Sequence, residues 1–413
     1  MALPATGTSA LSAEVKPLYD ADYLLAAQSM IGLDQFTDLR EVMGGQRGQS
    51  VNFPILENMQ PATAALSELS DVQPVPMNAS EVVVPLFEYG NAVQVTRFVK
   101  ATAYPDVYEQ AAQAVGNNQA ESIDLIIRPV FGQGTRLVLP SGVANRAAIA
   151  ATNKITGALM LRLTTLARGS KTPSFEDGFY SAVMHPNQHY DVLQDTILQN
   201  LGVYQKADML FNGEVGVWQG IRFVVLSNWK AFYGAGAAPT NAASTTLAAA
   251  AAIGDGTTAP TTLKVTAVTN INVGDWIVIR DAAEPGNTWS DTNELVQVLA
   301  VGTAGAAGTG ITVTAYDPGP NNAGGLRYAH ASGTTFKTAW NTSGCANVYP
   351  LSIFGPQSVT KAASSETGPY GVATVTGPFD VLGRFVNHGW YLIGGWARTT
   401  ERWLWRLETG GTY

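Results

Sequence analysis

The spacing of apolar positions changes several times along the chain, and each change marks a new element. From 23 to 43, Leu24, Leu25, Met30 and Leu33 recur at helical spacing, so residues 1–43 read as an arm with a helix in its second half. Gly44, Gly45 and Gly48 break that pattern. Val51, Phe53 and Ile55 then alternate with Asn52 and Pro54, which predicts a strand. A second strand-like stretch runs from 81 to 98, through Val82-Val83-Val84 and Val93-Gln94-Val95. Pro85 makes its middle an edge or a break, because proline has no amide to give to a ladder. The 58–80 connection contains Pro61, Pro74 and Pro76 and little periodicity. Residues 44–100 therefore predict one long two-stranded excursion with an irregular tip. An isolated hairpin is marginal in water, so this one must rest on its own domain or on another copy.

Residues 101–233 predict a mixed core. A helix follows Pro105, capped by Asp106, with Tyr108, Ala112, Val115, Ile123 and Ile127 as its stripe up to Arg128-Pro129. A second helix is expected near 145–168 on Ile155, Leu159, Leu163 and Leu166. A strand at 179–184, a His185-Pro186 turn, a helix from Asp191 and a strand at 221–226 complete this part. From 234 to 262 nearly every residue is Ala, Gly, Thr, Ser or Pro, which is linker chemistry. Short strands at 263–268, 276–280, 295–301, 311–314 and 334–337 predict a small sandwich or barrel. The earlier pattern resumes at 348–359. Residues 234–340 thus read as a β domain inserted into a host, able to fold apart from it, and 341–413 as the return to the core. The fold class expected is α+β.

Composition adds that 46% of the residues are hydrophobic and only 14% charged, against about 25% charged in average globular chains. Much of the surface is expected to end against other protein. The net charge of −8 argues against wrapping nucleic acid, which needs a basic face. It leaves DNA as a passive neighbour, for which an acidic lining allows sliding. Cys345 is the single cysteine, so neither an intrachain disulfide nor a cysteine zinc site is possible. Residues 1–15 lack the basic and apolar regions of a signal peptide. No apolar run approaches the ~20 residues a membrane helix needs. The chain is expected to act in the cytoplasm of the producing cell.

Candidate chemistry is sparse. His185 and His189, with Asp191 nearby, have a spacing that places two imidazoles on one helix face and suits a metal. Pro186 instead points to a turn in which the histidines diverge, and no third ligand is evident. The glycines at 132–134 and 213–216 complete no phosphate-binding motif, and no G-x-S-x-G elbow exists. Asp191 and Asp195 read as helix-start acids. Trp390, Trp396, Trp403 and Trp405 lie among arginines and could stack on nucleic acid or sugar. The acidic balance favours a buried strand face instead. No residue is assigned to catalysis, to a cofactor or to a metal.

The order of parts resembles the coat fold common to tailed bacteriophages, with its N-arm, extended loop, spine helix, axial domain and peripheral domain. Several segments are similar to the N4-like branch: Tyr89-Gly90-Asn91-Ala92-Val93-Gln94-Val95-Thr96, residues 184–193 from Met184 through His185-Pro186 to Leu193, residues 212–223 with Trp218-Gln219-Gly220, Val348-Tyr349-Pro350-Leu351, and Gly389-Trp390. The resemblance covers about 20–230 and 345–408 and leaves 234–340 outside. It implies a major capsid protein, assembled in the host cytoplasm and carried in the virion. By that resemblance the chain forms hexamers and pentamers of an icosahedral shell around double-stranded DNA. Its main partner would be itself, with scaffold, portal and decoration proteins as further partners and no membrane. Two other readings stand beside it. One is another β-rich virion part, a tail-tube or decoration protein. The other is a carbohydrate-active enzyme, which would need two carboxylates ~5–9.5 Å apart across a cleft.

Charge along the excursion suggests how copies would hold together. From 48 to 96 the chain carries Glu57, Glu68, Asp71, Glu81 and Glu88 and no Lys or Arg. Bases gather elsewhere, at Arg162, Arg168 and Lys171 and at Arg384, Arg398, Arg402 and Arg406. The expectation is that the hairpin lies across a neighbour and pairs with some of these.

Overall fold

The computed structural model describes residues 32–42, 49–56, 59, 61–63, 65, 74, 76–102, 107–195, 217, 218, 220–253, 261–281, 283, 284, 288–316, 325–377 and 381–412. Strands in chain order are β1 Asp38–Val42, β2 Ser50–Leu56, β3 Ala79–Pro85, β4 Phe87–Thr96, β5 Leu137–Val138, β6 Tyr180–Met184, β7 Val217–Trp218, β8 Ile221–Val225, β9 Ser244–Thr246 and β10 Thr261–Leu263. They continue as β11 Trp276–Arg280, β12 Glu294–Val301, β13 Ile311–Ala315, β14 Thr335–Asn341, β15 Gly344–Cys345, β16 Val348–Phe354, β17 Val359–Ser364, β18 Val372–Thr376, β19 Phe385–Arg398 and β20 Leu404–Gly410. The helices are α1 Arg97–Thr102, α2 Val107–Gly132, α3 Gly157–Gly169 and α4 Pro186–Leu193. The chain divides into two units, Met1–Val130 with Pro356–Thr400, and Phe131–Gly355 with Glu401–Tyr413.

The first unit is built on a mixed sheet in the order β1-β17-β19-β18, with β4 also paired to β19. Helix α2 packs its apolar stripe inward. Ala112, Val115, Ile123 and Ile127 are at most 2% exposed. Polar bonds fix its register, since Asn118 Oδ1 accepts from Trp390 Nε1 at 3.0 Å and from Asn91 Nδ2 at 3.2 Å. The helix expected over 23–43 is not what the described part shows. Residues 23–31 lie outside the described residues, Asp34–Phe36 is a single 3-10 turn, and 38–42 is a strand parallel to β17. Tertiary pairing overrides local propensity there. Asp124 accepts from the amides of Gly32 and Leu33, and buried Asp34 pairs with buried Lys361 and accepts from Trp396 Nε1 at 3.2 Å. Burial lowers the Lys361 pKa, and the Asp34 charge opposes that shift.

The second unit holds two sheets. One has the order β5-β20-β16-β6-β8-β7, and α3 lays Met160, Leu163 and Ala167 on its apolar core with Ala182, Leu351 and Leu407. Helix α3 begins at Gly157, capped by Thr156, and not near 145. Upstream, Asn145 caps a 3-10 turn and the Asn153 side chain accepts from the Ala150 amide at 2.9 Å. Such local side-chain bonds compete with helix. Helix α4 starts five residues earlier than the sequence implied. Pro186 is its first residue, where a missing amide costs nothing, and His185 is its cap.

The other sheet is the seven-stranded β10-β13-β12-β11-β14-β15 with β9 on β14. It encloses its own core of Leu263, Ile277, Ile279, Val296, Val298, Ile311, Val313 and Phe336. Its strands follow the alternation of the sequence closely, as in the buried-intermediate repeat of Ile311–Ala315. The loop between β11 and β12 does not stay with that sheet. Trp289 joins Ile149, Phe232 and Val348 in a separate cluster, and Glu284 is buried against Lys230 at 2.8 Å. Gly132 at the end of α2 accommodates this loop. A Cβ there would lie 1.7 Å from the Trp289 ring.

His185 carries a pH dependence. Its Nδ1 accepts from the Asn187 amide at 3.2 Å and its ring stacks on Tyr349. Burial lowers its pKa from 6.5 to about 4. Below the ordinary value the unfolded chain binds a proton that the folded chain refuses. This stability is complete above about pH 6.5 and is lost as pH falls towards about 4, by at most about 3 kcal/mol. Melts of the parent at about pH 7 and about pH 4.5 should differ accordingly, and H185N, which caps without titrating, should narrow the difference.

Candidate assembly surface

The excursion is a two-stranded hairpin of β2 and β3, registered from Ser50↔Pro85 to Leu56↔Ala79. The chain leaves it at Leu86. From there β4 pairs with β19 over Phe87↔Gly394 to Thr96↔Phe385. Pro85 marks the branch, as its missing amide suggested, and the stretch 87–96 belongs to the sheet rather than to the hairpin. The root of the hairpin rests on its own unit. Phe53 and Val84 are buried with Ala362, and Val51, Leu86 and Ala397 pack around them. Gly395 allows the approach, because a Cβ there would meet the Pro85 carbonyl oxygen at 2.0 Å.

Beyond the root, some described apolar side chains are open. Leu56 is 63% exposed, Met59 56% and Met77 66%. Exposed apolar side chains grouped at one end of an element mark an interaction surface. Sequence periodicity did not single them out, because two of the three lie in the aperiodic 58–80 stretch.

The acids divide into three groups. Glu57, Glu68 and Asp71 lie outside the described residues. Glu81 is exposed on β3 and accepts from Asn52 Nδ2 at 3.3 Å. Glu88 is on β4, where its carboxylate bonds the Tyr391 side chain; the Tyr391 pKa is raised by desolvation first and by Glu88 second.

The bases separate in the same way. Arg162, Arg168 and Lys171 are exposed on and after α3, and Arg162 Nη1 reaches the Leu139 carbonyl at 3.5 Å. Arg384 and Arg402 are exposed and stack on Phe385 and Trp403. Arg398 is half-buried and donates to the Val130 carbonyl. Arg406 is fully buried, donating to the Gly132 carbonyl at 2.8 Å and paired with Glu408 at 3.1 Å.

The other candidate chemistry resolves by burial. Trp390 and Trp396 are 4% and 8% exposed, so they offer no open stacking face. His185 caps a helix and His189 lies within it. Among the described residues no group of three His, Cys, Asp or Glu is placed to hold a metal ion. A depression of about 580 Å³ beside 137–143, Arg162, Leu166 and Trp405 is lined by no carboxylate. No described helix is long and apolar enough to cross a membrane. Cys345 is buried, and burial raises its thiol pKa to about 11.

The chain is α+β, with a two-stranded hairpin seated at its root and a 26-residue helix. Its fold is that of tailed-phage capsids. It is similar to the capsid of Ralstonia phage GP4, with a TM-score of 0.54 at 10% identity over 95% of this chain and 91% of that one. It is likewise similar to the Cyanophage Pam1 capsid, at 0.52 and 14% identity over 94% and 92%. The acid-stable capsid of Helicobacter pylori bacteriophage KHP30 gives 0.50 and 11% identity over 92% and 90%. No curated protein sequence matches the chain. The family described as phage capsid protein matches residues 7–260, and the chain belongs to it. It is a structural protein of the virion, a major capsid subunit of the icosahedral head, and not an enzyme.

Proposed function

We propose that the chain assembles in the host cytoplasm into hexamers and pentamers of an N4-like phage head, with scaffold, portal and decoration proteins as further partners and double-stranded DNA as passive content. The hairpin of each copy lies across a neighbour. Its acids, Glu57, Glu68, Asp71 and Glu81, face exposed bases drawn from Arg162, Arg168, Lys171, Arg384 and Arg402. Glu88, Arg398 and Arg406 act within their own chain instead. The observation that carries this reading is the hairpin itself, seated at its root, with Leu56, Met59 and Met77 exposed beyond it and with acids of one sign. Residues 234–340 are an inserted β domain carried by the shell subunit.

Each exposed pair is worth only ~0–1 kcal/mol, but a shell repeats it many times. E68K/D71K should therefore slow assembly at low salt and leave the melting of the free subunit nearly unchanged. Protease cutting beside Met59 and Met77 should occur in free subunits and be lost in particles. Normal assembly of the double variant at both low and high salt would remove the electrostatic part. Equal cutting in both states would remove the reach across copies.

A further inference from the structure

We propose that the seven-stranded sheet carries a glycan-binding row on the face away from its core, built from Trp340, Trp276, Gln297 and Thr314 with Tyr316 beside them. The row is separate from the hairpin and from shell closure.

Alternation along the strands places these residues. Ile277 of β11, Val296 and Val298 of β12 and Val313 of β13 belong to the core of that sheet. Trp276, Gln297 and Thr314 therefore lie on the opposite face, and they are in register. Trp276 sits opposite Trp340 on β14 and opposite Gln297 on β12, and Gln297 sits opposite Thr314 on β13. Cross-strand partners share a face. Tyr316 follows β13 at 54% exposure, with its ring 5.6 Å from that of Trp276. The other four are partly exposed. Further along β11 the same face is closed, because Val278 is fully buried beneath residue 234.

The row combines ring faces with unused polar groups. The Trp276 and Trp340 indole nitrogens, the Gln297 side-chain amide and the Tyr316 hydroxyl make no hydrogen bond among the described residues. None of these atoms is shut away from water. A pyranose needs this pairing, since its C–H face stacks on an aromatic ring while its hydroxyls seek donors and acceptors at the edge.

Size and charge set other occupants aside. Three strand spacings make the row only about 14–15 Å long. A specific protein interface takes about 800 Å² from each partner, far more than such a row offers. Single-stranded nucleic acid stacks on aromatic rings too, but needs cations along its track. The row has none. Lys337 lies opposite Val278, Arg280 lies beyond it, and Asp275 is buried against Asn272. Asp317, next in the chain after Tyr316, is outside the described residues. The ligand that fits is an uncharged oligosaccharide.

Calorimetric titration of the full chain with maltohexaose, cellohexaose and chitohexaose tests this. Saturable binding of at least one of them is expected, by free subunits and by assembled particles alike. Y316A should weaken it about tenfold and Q297A by a similar factor, with the melting of the chain unchanged. No saturable binding of any of the three up to about 10 mM would overturn the proposal. So would binding that Y316A and Q297A leave unaltered. Binding present in free subunits and lost on assembly would show that another copy covers the row, and would overturn it as well.

Discussion

E408Q should lower the stability of the second unit by about 3–5 kcal/mol, the usual cost of leaving a buried charge without its partner. Glu408 is fully buried between two arginines. Arg146 grips it with Nε at 2.8 Å and Nη2 at 2.6 Å, and Arg406 Nε lies 3.1 Å away. Arg146 also lies 3.7 Å over the Phe232 ring and donates to the Glu284 carbonyl, so it has no easy exit to water. With a neutral amide in the middle, two guanidinium groups would face each other inside the protein. Net stabilities of domains are only about 5–15 kcal/mol, so a large share would be lost. Denaturant melts of parent and variant measure it. Replacing all three groups together, as R146M/R406L/E408L, should recover much of the loss, because a filled apolar site carries no unpaired charge. A melt of E408Q matching the parent would mean that the network contributes little.

Replacing residues 234–340 with a short Gly/Ser linker should abolish the cooperative melt of the second unit. From the sequence alone, the rest of the chain is expected to stay folded after the replacement. The insert does have its own sheet and core, but its 281–292 loop completes the host. Removing it takes Trp289 from its edge-on contacts with Trp229 and Phe232, at 5.9 Å and 5.7 Å between ring centroids. Trp289 is partly buried there, so its loss costs less than the about 3–5 kcal/mol of a fully buried Trp. The replacement also removes Glu284, whose Oε1 accepts from the Ser290 amide at 2.6 Å, from its pairing with Lys230. A shorter replacement that keeps 281–292 cannot be built without the strands that hold it. A sharp melt near that of the parent in the linker chain would show that the loop is dispensable.

The tie between the insert and its host is not legible in the sequence, for a physical reason. Its strands alternate in polarity, and alternation is legible at short range. Glu284 and Trp289 sit in an aperiodic loop, and their partners, Lys230, Arg146 and Phe232, are 50 or more residues away in the chain. Arg406 is a related case. It reads as a surface base in an Arg/Trp tail, yet Glu408 two positions on shares its strand face, and Arg146 comes from the other side of the sequence. By contrast the α2 stripe, the β2 alternation and the break at Pro85 were plain, since each depends on neighbours within a few residues. What failed locally was the arm after 32, where pairing with β17 and the Asp34–Lys361 contact set the conformation. The exposure of Leu56, Met59 and Met77 also escaped notice, because exposure is a property of the fold and not of spacing.

Electron microscopy of particles formed by the purified chain, alone or with a scaffold protein, tests the central claim most directly. Closed icosahedral shells made of hexameric and pentameric capsomers are expected. Tubes, small rings, or a stable monomer under every assembly condition would contradict it.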